Sequence, residues 1–121
     1  MITYSKRDEL SQEFALEITR HLKLEKIYLF GSTAKKKDRI NSDIDICFIG
    51  KSDKLGNREK EIISNQVTEF LIEHAIVINW IYFNRNQWEK ETIPITKTIK
   101  NEGKILWEKE KTESHSQKIS C

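Results

Sequence analysis

The sequence predicts an α+β fold, and three observations carry that expectation. Leu10, Phe14, Ile18 and Leu22 recur at i+4 intervals, while Ile62, Ile63, Val67, Phe70 and Leu71 share one side of a second periodic stretch. Both patterns mark helices with an apolar stripe. The runs Leu24 to Phe30 and Ile76 to Phe83 are short and rich in β-branched and aromatic residues, which suits strands. Between them, Ser42-Asp43-Ile44-Asp45-Ile46 alternates polar and apolar residues with the period of a strand.

Taken in order, the first helix covers residues 5–22, with Ser5 as its cap. Lys6, Arg7, Glu13, Glu17 and Arg20 fall mainly on its other faces. Strand one spans 24–30 and strand two 43–49. The polar, glycine-bounded stretch from Gly50 to Asn57 reads as a loop, followed by a long helix over 58–74. Strand three, 76–83, looks fit for burial on both faces, with Asn79 its one strongly polar side chain. Asn84 to Glu91 predicts a turn and a short helix with Trp88 packing inward. Pro94 opens a last helix over 95–101, Gly103 caps it, and Ile105-Leu106-Trp107 adds a short strand or an extended end. Residues 1–108 thus form a single domain, with a core over 24–108. The tail 109–121 is polar without periodicity and is expected to be disordered.

Composition narrows the function classes. The chain has 121 residues, 37% hydrophobic and 33% charged, which supports one domain with a modest core. No apolar run approaches the ~18–20 residues of a spanning helix, and the charged N-terminus lacks the apolar region of a signal peptide. A cytoplasmic protein without a membrane partner is expected. Cys47 and Cys121 offer neither a disulfide framework nor zinc spacing, and His21, His74 and His115 have no mutual spacing suited to a metal. His21 and His74 fall at predicted helix C-termini, where a cation is mildly favoured. Trp80 and Trp107 read as core or interface residues. A net charge of +2 argues against dedicated nucleic-acid binding. The local run Lys35-Lys36-Lys37 with Arg39 has two readings side by side: a solvated helix end, or steering of triphosphate or RNA toward a neighbouring site.

That neighbouring site is the most informative feature of the chain. Asp43 and Asp45, at i and i+2 on a strand, point to one face with Cβ atoms ~7 Å apart. Two close carboxylates raise each other's cost of ionisation, so such a pair is usually arranged around a divalent metal. Gly31, twelve positions before Asp43, permits a tight turn and close approach of a ligand. Ser32 can cap a helix running from Thr33 to Lys37, and the free N–H groups of a helix start attract phosphate. A tight turn before an ordinary strand would explain Gly-Ser alone. Together with Ser-Asp-Ile-Asp at this spacing, the pattern fits a triphosphate held by its tail, with magnesium on the two acids.

Leu29-Phe30-Gly31-Ser32 followed by Ser42-Asp43-Ile44-Asp45-Ile46 resembles the signature of the polymerase-β-type nucleotidyltransferase superfamily. The short length is similar to its minimal nucleotidyltransferase (MNT) branch, and Glu102 to Glu108 resembles that branch's closing segment. The resemblance implies a small mixed β-sheet flanked by helices, a palm-like fold. It also implies Mg2+, with two ions possible on Asp43 and Asp45, and transfer of a nucleoside monophosphate from ATP or another NTP to a hydroxyl. Gly31, Ser32, Lys35 and Ser42 would bind nucleotide. The chain departs from the family pattern twice. Thr33 and Lys36 stand near places where members often carry Arg and a second Gly. The third metal-binding carboxylate, usually on a later strand, is replaced by Asn79, a degenerate position in the catalytic set. An Asn carbonyl can ligate magnesium but cannot take a proton from an attacking hydroxyl.

Three functions follow from the resemblance. The first is a nucleotidyltransferase acting as the antitoxin of a HEPN-type toxin, attaching AMP to a hydroxyl of that partner protein. A domain this small is expected to receive its acceptor from a partner, a second copy in a homo-oligomer, or a docked macromolecule. The second is a catalytically weakened module that neutralises a partner by occlusion. The third is a small-molecule nucleotidyltransferase, disfavoured because nothing after the core would form an acceptor pocket.

Overall fold

A computed structural model describes residues 4–31 and 43–110. Helix α1 (Tyr4–Thr19) buries Leu10, Phe14 and Ile18, as the i+4 pattern requires, together with Ala15, Ser11 and Arg7. The burial of Arg7 corrects its assignment to a polar face. It lies three and four positions before Leu10 and Ser11, on the same stripe. The helix ends earlier than the apolar pattern does. His21 N and Leu22 N both donate to Ile18 O, at 3.0 Å each, which tightens the last turn while Leu22 stays buried.

Four strands form one mixed sheet in the order β3-β2-β1-β4. β1 (Lys26–Phe30) runs antiparallel to β2 (Ile44–Gly50) and to β4 (Lys104–Glu108). β2 runs parallel to β3 (Ile78–Asn84). A parallel pair needs a long crossover, and helix α2 (Asn57–His74) supplies it. α2 closes on Ala75 in the left-handed conformation (φ 56°), whose N–H donates to Leu71 O at 2.8 Å. Helix α3 (Arg85–Lys90) follows β3 directly through a capping box. Asn84 Oδ1 accepts from Gln87 N at 2.8 Å, and Gln87 Oε1 accepts from Asn84 N at 3.0 Å. Helix α4 (Pro94–Glu102) has proline in its first turn and ends at Gly103.

Alternation sorts the sheet into two faces. Ile27, Leu29, Ile44, Ile46, Phe48 and Ile78 pack against Leu10, Phe14 and Ile18 of α1 and Ile63 and Phe70 of α2. Tyr28, Cys47, Ile49 and Phe83 form the opposite face with Trp88 of α3 and Ile99 of α4. Cys47 is a core residue whose thiol desolvation pushes up to about 12, so it stays protonated and inert. β2, the strand buried on both faces, lies inside the sheet. β3, expected to be buried on both faces, is instead an edge strand: Asn79 is exposed and Trp80, Ile81 and Tyr82 are only half-buried. The stretch had the composition of a central strand, yet it occupies an edge of the sheet. Among the described residues, no helix is long and apolar enough to cross a membrane.

Candidate active site

The second face of the sheet changes character along its length. Around Tyr28, Cys47 and Ile49 it is apolar; at the far end of the same face it carries Asp45, with Asp43 just before β2. Antiparallel register sets Phe30 across from Asp45, and parallel register sets Asn79 on its other side. Cross-strand partners share a face, so Asn79 is brought to the carboxylates. Asn79 Nδ2 donates to Asp43 Oδ2 at 2.9 Å and reaches Asp45 Oδ1 at 3.4 Å. One amide therefore spans both acids. Its NH2 end must face them, because a carbonyl oxygen there would meet two carboxylates with no proton between.

Asp43 is exposed and Asp45 half-buried. Desolvation pushes the Asp45 carboxyl above its ordinary value; the Asn79 hydrogen bond pulls it down and the charge of Asp43 pushes it up again. Gly31 closes the site from β1. Its φ of 76° is left-handed, and a Cβ added there would collide with Asp45 Oδ2. Glycine is required twice over, by backbone conformation and by the close approach of the carboxylate. Asp43 and Asp45 are hard oxygen donors that converge at an open edge. That set suits Mg2+, which is commonly held by one or two carboxylates with waters and substrate phosphates completing the shell. Among the described residues, no cluster of three or more His, Cys, Asp or Glu occurs.

Ser32, Lys35 and Ser42 lie outside the described residues, as do Thr33, Lys36 and the helix expected over 33–37. The histidines are elsewhere. His21 lies past the end of α1 beside Glu17, at 3.2 Å, and His74 packs its ring on Phe70 with centroids 4.7 Å apart. Trp80 faces Phe48 on the helix-covered side of the sheet, centroids 5.9 Å apart, and Trp107 is half-buried against the same core. Phe30, a member of the motif, and Val77, within the strand expected over 76–83, are neighbours of the acids' strand to which the sequence assigned no role. Val77 O accepts from Ile44 N at 2.9 Å, and the side chain is 40% exposed beside the acids' strand. For Phe30 the signal is strand register, and register is not written in a single strand. A cavity of about 570 Å³ sits at the opposite end of the sheet, over Trp88. Part of its charge is already paired, Arg85 Nε donating to Glu25 Oε1 at 2.9 Å and Lys26 meeting Glu108 at 3.5 Å.

The family model described as polymerase beta, nucleotidyltransferase, matches residues 12–112. No curated protein matches the chain. Among solved structures, a Sulfolobus solfataricus protein described as a nucleotidyltransferase is similar with a TM-score of 0.63 at 22% identity, over 89% of this chain and 86% of that one. A chain of a toxin–antitoxin structure with AMP-PNP has a TM-score of 0.59 at 21% identity, over 90% and 84% of the two chains. A chain from the tri-AMPylated Shewanella oneidensis HEPN toxin in complex with MNT antitoxin has a TM-score of 0.54 at 19% identity, over 93% and 84%. At these identities the likeness is one of fold.

Proposed function

Because the chain belongs to the polymerase β nucleotidyltransferase family, we propose that it transfers a nucleoside monophosphate, AMP by preference, from a triphosphate to a hydroxyl of a HEPN-type partner protein. The observation that carries this reading is the same-face pair Asp43 and Asp45 beside the left-handed Gly31 turn. Structures of similar fold that contain AMP-PNP, or an AMPylated HEPN toxin with its MNT antitoxin, support the choice of nucleotide and partner.

The proposed roles rest on the placement of Gly31, Asp43 and Asp45 and, for Ser32, Lys35 and Ser42, on the sequence motif. Asp43 and Asp45 would hold Mg2+, which when bound neutralises charge developing between the α-phosphate and the departing pyrophosphate. Gly31 lets the Asp45 carboxylate lie against the turn, and Ser32, Lys35 and Ser42 would bind the phosphates. The acceptor hydroxyl oxygen bonds to the α-phosphorus while the bond to the bridging oxygen breaks and pyrophosphate leaves. Asn79 cannot accept the hydroxyl proton, which passes to solvent. General-base assistance is worth ~10²–10⁴-fold, so transfer by this chain is slow for its family.

That same amide favours a second reading, in which the chain binds nucleotide and neutralises its partner by occlusion. Incubation with labelled ATP and Mg2+, with and without a co-encoded HEPN-type protein, separates the two. Label on the partner, lost in Asp43→Asn, is the expected outcome. Unlabelled partner that is nonetheless inhibited selects occlusion. Triphosphate binding unchanged in both Asp43→Asn and Asp45→Asn would remove the site itself.

A further inference from the structure

The two oxygens that Asn79 touches belong to the two acids that would take a cation, and it meets them with hydrogens. Nδ2 lies 2.9 Å from Asp43 Oδ2 and 3.4 Å from Asp45 Oδ1. An NH2 group has two protons, one for each acid, so a single neutral side chain offsets part of the repulsion between the pair. Among the described residues, Asn79 supplies the side-chain hydrogen bonds that reach these acids. It is exposed and sits on an edge strand, where its amide can turn away without disturbing the core.

We propose that Asn79 is a built-in competitor of the cation: its amide braces Asp43 and Asp45 in the metal-free protein and must be displaced before a divalent ion binds them. This rests on the reading of the pair as a metal site and goes beyond it by assigning Asn79 a positioning role opposed to that of a ligand. A ligand would present its carbonyl oxygen to the ion and strengthen binding. A competitor weakens binding, because the bonds it makes to the carboxylates are given up when the ion arrives. The metal-free protein gains a braced pair from the same bonds. Cation affinity and metal-free stability therefore trade against each other at this one residue.

Asn79→Ala separates the roles, with Mn2+ as the probe and free Mn2+ counted by electron paramagnetic resonance. The expected result is binding on the order of tenfold tighter than wild type, the value of one hydrogen bond to a charged group. The metal-free melting temperature should fall, and the rise on adding Mn2+ should be larger than in wild type. Asn79→Gln, which keeps the donors on a longer arm, should fall between. Weaker Mn2+ binding by Asn79→Ala makes the residue a ligand and overturns the proposal; unchanged affinity makes it a bystander and does the same. Asp43→Asn is the control. If wild type binds Mn2+ no better than Asp43→Asn, the metal-site reading fails as a whole; if Asp43→Asn abolishes binding while Asn79→Ala weakens it, only the competitor role fails.

Discussion

Asp45 is held where a carboxylate is disfavoured, half-buried and beside a second acid, and its raised pKa follows from that burial first. A raised pKa means that the folded state binds a proton more tightly than the unfolded chain, so this group makes stability fall as pH rises above its ordinary 3.8. Asp45→Asn should accordingly raise the metal-free melting temperature at neutral pH, and melting curves at successive pH values should show the gain shrinking as pH falls toward 3.8 and absent below it. Calorimetry should show the opposite for function, with Mg2+-dependent triphosphate binding lost in Asp45→Asn and in Asp43→Asn alike. Gly31 is the other residue whose identity is forced. Gly31→Ala carries a backbone penalty of ~1–2 kcal/mol for a left-handed residue and drives a methyl group into Asp45. It should weaken triphosphate binding more than Ser32→Ala, which removes one hydrogen bond to a charged group, ~1.5–3 kcal/mol.

Elements are positioned by a few polar ties between apolar contacts. Asn84 ends β3 and starts α3, its Oδ1 capping Gln87 N while its Nδ2 donates to Asp53 O at 3.1 Å. Asn84→Ala should lower unfolding free energy by ~0.5–2 kcal/mol in denaturant titration, the range for loss of a cap. Arg85, the next residue, holds the Glu25 carboxyl below its ordinary 4.5 by hydrogen bonding. A depressed pKa contributes stability above the ordinary value that is lost as pH falls through the folded one. Glu25→Gln should therefore cost stability at neutral pH and nothing in strong acid. On β3, an acid at position 79 would add a proton acceptor and remove the amide brace. Asn79→Asp should raise the rate of transfer to an acceptor while lowering metal-free stability; a lower rate would show that the amide is needed for turnover.

For the whole molecule, β2 is the keel. It pairs with strands on both sides, packs Ile44, Ile46 and Phe48 under α1 and α2, and presents Asp45 from its other face. Phe48→Ala removes a fully buried ring at a cost of ~3–5 kcal/mol, against a total stability of ~5–15 kcal/mol for a domain. Loss of cooperative unfolding, or of soluble protein, is the expected outcome, with nucleotide binding lost as a consequence. Core and site share a strand, so loss of the core takes Asp45 with it.

Single residues and short periods decided much of this in advance. The i+4 stripe of α1, the alternation of β2, the proline start of α4 and the Gly31-to-Asp45 motif are local patterns, and local patterns are legible because their period is set by the backbone alone. The motif also identified the family before any geometry was available. What needed the folded chain was everything set by register and neighbours. Arg7 is buried because its stripe meets the sheet, and Asn79 is exposed because β3 lies at an edge. That the Asn79 amide bridges two acids 34 and 36 positions away follows from a parallel pairing no local segment encodes. Parallel strands are joined by a long crossover, so their register is chosen by packing across the sheet, and only the tertiary structure carries that choice.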